Sequence, residues 1–140
     1  MSLLFRTLLA VVALACLASC GLTKGKEAAS KAVDTYHQQF NDSKFKEIWL
    51  AATPGFRAST KEAEHLQYLH FARSRLGVFK SSTLNEWKTH LFIKETVVVL
   101  AFNSNFEHGA AIETFSFVVS GEIAELRSYN INLPAAFLTR

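Results

Sequence analysis

The sequence predicts an α+β domain, with N-terminal helices packed on a curved antiparallel meander sheet. Three observations predict it. Apolar residues recur every three or four positions as far as Leu76. Gly77 interrupts that pattern, and beyond it the apolar period falls to two. The later segments are joined by links too short for a crossover, so consecutive strands pair antiparallel. A chain of 140 residues is the length of one domain.

The first residues stand apart from that domain. Arg6 supplies a positive charge, and Thr7 to Ala18 (TLLAVVALACLA) is almost wholly apolar. A run of about a dozen is short of the ~20 residues that span a bilayer and fits the core of a secretory leader. The run ends in Leu17-Ala18-Ser19-Cys20, and this leader resembles those of bacterial lipoproteins. The resemblance implies a diacylglyceryl group on Cys20, cleavage before it and acylation of the new amino terminus. It divides the chain into a signal peptide (1–19), a lipidated tether (20–26) and a single α+β domain (27–140). Gly21 is not the aspartate that retains such proteins at the inner membrane. In a Gram-negative cell the resemblance therefore implies the outer membrane, facing the periplasm.

Cysteine usage agrees with that expectation. Cys16 lies within the leader and no cysteine follows Cys20. The mature chain then has no internal disulfide. The formal net charge is +3, and Arg6 leaves with the leader. Lys and Arg are scattered, so no nucleic-acid partner is expected.

Gly21 to Lys26 (GLTKGK) is small, polar and basic, as a tether should be. Glu27 to Phe40 places Ala29, Ala32, Val33, Tyr36 and Phe40 on one helical face. Asn41-Asp42-Ser43 breaks that helix. Lys44 to Ala52 forms a second, with Phe45, Ile48, Trp49 and Ala52 on one side, and Thr53-Pro54-Gly55 ends it. A third helix is opened by a capping box, Ser59 with Glu62, and closed by Gly77. Leu66, Leu69, Arg73 and Leu76 share its apolar face. Four strands follow: Phe79 to Lys88, Thr96 to Phe106, Ala110 to Val119 and Ile123 to Asn132.

Helices followed by long antiparallel strands look like the nuclear-transport-factor-2-like and cystatin-like superfamily. Within it, the second half resembles small bacterial lipoproteins of uncharacterised function. The residues that carry this are Arg73 to Gly77 (RSRLG), Asn105-Phe106 with Gly109 and Glu113, Phe115-x-Phe117, and Leu126 to Ile131 (LRSYNI). The resemblance implies a cone with a cavity between helices and sheet, and it implies no catalytic residues.

Glu113 is the most informative polar residue. It alternates with Ala111, Phe115, Phe117 and Val119, which places a carboxylate on the inner face of its strand. Such a group must be paired, hydrogen-bonded or protonated. Arg73, within an apolar stripe, is the expected partner in a structural ion pair. The alternatives are a ligand-recognition group and a general base. Ketosteroid-isomerase-like relatives of the fold pair an acid with a tyrosine in such a cavity. Tyr129, alternating with Arg127 and Ile131, is a candidate for the same cavity, or a packed tyrosine with a satisfied hydroxyl. Trp49 should pack the second helix, and Trp87 should be half exposed.

The five histidines show no metal spacing. His65 and His70 are five apart, HExxH is absent, and His37, His90 and His108 are isolated. No metal or cofactor is expected. GxSxG, GxxxxGK[ST] and GxGxxG are likewise missing. The expectation is a membrane-anchored, non-enzymatic envelope lipoprotein that binds a partner protein or a small ligand. A cavity enzyme using Glu113 and a purely structural protein, homodimeric through its sheet, are the alternatives.

Overall fold

The computed structural model describes residues 2–134, with side chains described from Cys20 onward. The apolar tail Leu133 to Leu138 is read from the sequence either as folding back over a sheet edge or as an exposed contact patch, and beyond Pro134 it lies outside the described residues. Four helices precede four strands: α1 (Ser2–Asn41), α2 (Phe45–Leu50), α3 (Pro54–Ser59), α4 (Glu62–Leu76), β1 (Phe79–Leu91), β2 (Thr96–Phe106), β3 (Gly109–Ser120) and β4 (Ile123–Asn132). The sheet order is β1-β2-β3-β4, every neighbouring pair is antiparallel, and the sheet stays open. The α+β meander is thus the observed fold.

Period-two patterning selects the buried face. Val98, Leu100, Phe102, Ser104 and Phe106 of β2 point inward beside Ala111, Glu113, Phe115, Phe117 and Val119 of β3. α1 lies across this face and meets all four strands. Its buried side is Ala28, Ala29, Val33, Tyr36, His37 and Phe40. Phe40 meets Phe106 edge-on at 6.0 Å, and Tyr36 meets Phe115 at 5.0 Å. At the end of α1, the Asn41 side chain donates to the Phe79 carbonyl and accepts from the Phe79 amide. That pairing ties the helix to the start of β1.

The segment 21–26 is helical, not an extended tether. Gly25 is buried, and a Cβ there would lie 3.7 Å from Val98 and 3.8 Å from Val119. Lys26 Nζ sits 4.9 Å from the centre of the Trp87 ring. Glycine costs a helix about 1 kcal/mol relative to alanine. Contact with the sheet offsets that cost, and packing begins two residues earlier than the apolar pattern suggests.

The expected third helix is α4, unbroken from Glu62 to Leu76, and an additional short helix, α3, precedes it. Thr53 and Pro54 end α2 and also open α3, with the Thr53 hydroxyl accepting from Phe56 N at 3.2 Å. The Ser59–Glu62 capping box does not form. Ser59 closes α3 and donates to Phe56 O, while Lys61 stands at the N-cap of α4 without a side-chain cap. Gly77 ends α4 with φ +76°, its N–H donating to Arg73 O. The buried stripe of α4 is His65, Leu69, Ala72 and Leu76.

β4 carries a bulge. Ser116 faces Ser128, whereas Phe117 faces Leu126, so Arg127 is an extra residue. The expected alternation of Tyr129 with Arg127 therefore fails. Arg127 points out and pairs with Glu95 at 2.9 Å, while Leu126 and Tyr129 both face the core. Trp49 is buried against Phe56 and His65, and Trp87 is half exposed.

Candidate functional site

Glu113 has no solvent exposure. Its strand position explains its partners. Phe102 and Ile131 stand directly opposite it on β2 and β4, and their side chains cannot bond to it. The diagonal neighbours can, because side chains two residues along the adjacent strand come within reach. Ser104 on β2 donates its hydroxyl to Oε2 at 2.5 Å. Tyr129 on β4 donates to Oε1 at 2.6 Å. The third donor comes from the helix above: His37 Nε2 lies 2.8 Å from Oε2. This geometry is satisfied with a hydrogen on Nε2. The His37 ring is held by stacking on Phe79, with centroids 3.6 Å apart and planes 8° from parallel.

Of the three tyrosines of the chain, Tyr129 bonds this carboxylate, Tyr36 packs beside Tyr129, and Tyr68 feels its charge from α4. Burial raises the Tyr129 hydroxyl well above the usual tyrosine range, and Tyr36 and Glu113 nearby add to the shift. Burial does the same to Tyr36, again with Glu113 contributing. Tyr68, half exposed on α4, is raised mainly by burial and more weakly by Glu113. The Tyr36 hydroxyl is buried and closes no hydrogen bond of good geometry, although its ring tilts against Tyr129 at 4.8 Å.

Arg73 does not pair with Glu113. The α4 stripe turns on Ala72, leaving Arg73 on its flank, half-buried with Nε lacking a partner. His37 occupies the role expected of Arg73. The sequence did carry signals for both unexpected partners. His37 continues the four-residue spacing of Ala29 and Val33, and Ser104 falls on the inner alternation of β2. Tyr129 reaches the site through the bulge, which has no signature in the sequence.

Glu113, Ser104 and His37 are buried, and Tyr129 is half-buried. An open cleft of about 270 Å³ lies beside this network, between α1, α2 and the edge of the sheet. Ala28, Ala32, Ile48, Phe117 and Leu126 form its apolar walls, with Tyr36 on the side nearest Glu113 and Lys31 and Glu122 at its polar margin. Tyr36 thus links the cleft to the buried network. His65 is a core histidine: its Nε2 is buried without a partner, and burial lowers its pKa. Among the described residues, no group of three or more His, Cys, Asp or Glu is arranged to hold a metal.

No family model matches the chain. No curated protein matches it significantly either.

Proposed function

We propose that this chain is a membrane-anchored bacterial envelope lipoprotein whose domain binds a partner or small ligand without catalysis. The anchor rests on the apolar run Thr7 to Ala18, whose end forms Leu17-Ala18-Ser19-Cys20 with the next two residues. The non-catalytic reading rests on one observation: both oxygens of Glu113 are occupied by protein donors at zero exposure. A general base needs a substrate proton within hydrogen-bond reach. Here His37, Ser104 and Tyr129 hold those positions. The network orders the interior, and the apolar cleft beside it is the place for an occupant. The nuclear-transport-factor-2-like cone is the fold family we favour, because there too a cavity opens between helices and sheet.

Intact mass and membrane fractionation of the chain from a bacterial host, beside Cys20→Ala, test the anchor. Acylated mass and membrane retention, both lost in the variant, are expected. A soluble, unacylated wild type overturns it. A photo-crosslinking residue at Thr35, which is exposed and lines the cleft, tests the binding half. A discrete adduct in cells is expected. Adducts no different from those at Asp42, which is exposed and does not line the cleft, overturn it.

A further inference from the structure

We infer that the β1–β2 hairpin tip is a second membrane contact, an apolar wedge that seats on the bilayer surface beside Cys20. This rests on the anchor reading above. The tip, Leu91-Phe92-Ile93, is closed by the Phe92 amide donating to Glu95 O at 2.9 Å. Ile93 is 104 % exposed, Leu91 72 % and Phe92 56 %. Three consecutive large apolar side chains held in water on a tight hairpin are a liability unless something covers them.

The fold says what lies at that end. In a meander, the β1–β2 and β3–β4 turns share one end of the sheet. There Leu91 pairs with Thr96, Thr96 with Val119, and Ser120 with Ile123. Ile123, from the second turn, is 66 % exposed. The N-terminal part of α1 leaves by the same end. Gly25 rests on Val98 and Val119, and Lys26 lies over Trp87. At its other end α1 meets Phe106 through Phe40. Gly25 to Phe40 is about 22 Å of helix, and Val98 to Phe106 is about 26 Å of strand. Helix and strands therefore run nearly alongside.

Cys20 stands five residues before Gly25, about 7.5 Å further along α1. Ile93 stands five residues before Val98, past the last paired rung of the sheet. Both project beyond the sheet from one end, with the exposed Leu22 between Cys20 and Gly25. A lipid on Cys20 brings that end to the bilayer, and the tip then meets the headgroups and the first part of the acyl chains. The exposed Lys24 and Lys94 face anionic headgroups there, and Glu122 at the second turn offsets one of them. Trp87, four residues from Leu91, is placed where an amphipathic ring favours the membrane–water boundary. Two contacts, lipid and wedge, would fix the orientation of the domain and point its other end away from the bilayer.

The test uses the lipidated chain in vesicles of phosphatidylethanolamine and phosphatidylglycerol. Ile93→Cys and, separately, Asp42→Cys at the opposite end carry a polarity-sensitive fluorophore. Both positions are exposed, so folding is preserved. The expected result is a several-fold brightening at position 93, with quenching by spin-labelled lipids, and none at position 42. Leu91→Ser with Phe92→Ser should abolish the brightening while flotation with vesicles persists. Chain that floats with vesicles while position 93 stays aqueous overturns the wedge and leaves the anchor standing. Brightening at 93 that follows protein concentration in the absence of vesicles assigns the tip to a second copy and also overturns it. Unacylated chain that fails to float removes the anchor and the wedge together.

Discussion

His37 on α1 and Glu113 on β3 are 76 residues apart in sequence and meet at 2.8 Å with almost no exposure of either side chain. This contact pins the long helix to the middle of the sheet, and Ser104 and Tyr129 complete the shell around the carboxylate. Removing one partner of a buried pair leaves the other uncompensated, at a cost of about 3–5 kcal/mol. Glu113→Ala is expected to destabilise by that order in urea unfolding. A double-mutant cycle with His37→Phe should give a coupling of about 1–3 kcal/mol. Additive effects would mean that the two residues act separately.

Tyr36 and Tyr129 should respond differently to loss of a hydroxyl. Tyr129→Phe strips a donor from Glu113 Oε1 and should cost about 1–3 kcal/mol. Tyr36→Phe removes a buried hydroxyl that closes no good hydrogen bond. It should be neutral or stabilising, within about 0.5 kcal/mol of wild type or better. Comparable losses in both variants, by chemical denaturation, would contradict this arrangement.

On the acid side, His65 should be felt. Its folded pKa lies below the ordinary value of 6.5 because burial penalises the charged ring. The folded state therefore binds its proton less readily than the unfolded chain. The stability it contributes is present above pH 6.5 and is lost as pH falls through the folded value. His65→Leu should flatten the stability–pH curve below 6.5. An unchanged curve would show that the ring is solvated.

On the alkaline side the sign reverses. Burial raises Tyr36 and Tyr129 well above 10.0, so the folded state keeps their protons longer than the unfolded chain. Their contribution is complete below pH 10 and is lost as pH rises through the folded values. The double variant Tyr36→Phe, Tyr129→Phe should lose less stability above pH 10 than wild type. Ultraviolet titration should show only Tyr68 ionising before the domain unfolds.

Gly77 gives a steric test. Its φ is +76°, and a Cβ there would fall 2.7 Å from Glu107 Cβ. Gly77→Ala should destabilise by more than about 1 kcal/mol, since conformation and contact both oppose a side chain. Adding Glu107→Gly should recover part of the loss. No recovery would assign the cost to the backbone alone.

The sequence by itself determined that helices precede strands, the end of α4 at Gly77, the bounds of β2 and β4, and the inward Glu113. These follow from local chemistry: side-chain periodicity, glycine at positive φ and short turns between strands. The tertiary structure alone decided who meets Glu113. His37 reaches it only because α1 lies along the sheet, and Tyr129 only because the Arg127 bulge resets the face of β4. Arg73 looked the better partner by charge, yet the rotation of α4 on Ala72 leaves it on the flank. The Ser59–Glu62 spacing named a capping box, but Pro54 had already started a separate turn. Periodicity assigns a residue to a face of its own element. Which faces meet, and at what height, depends on packing between elements far apart in the chain.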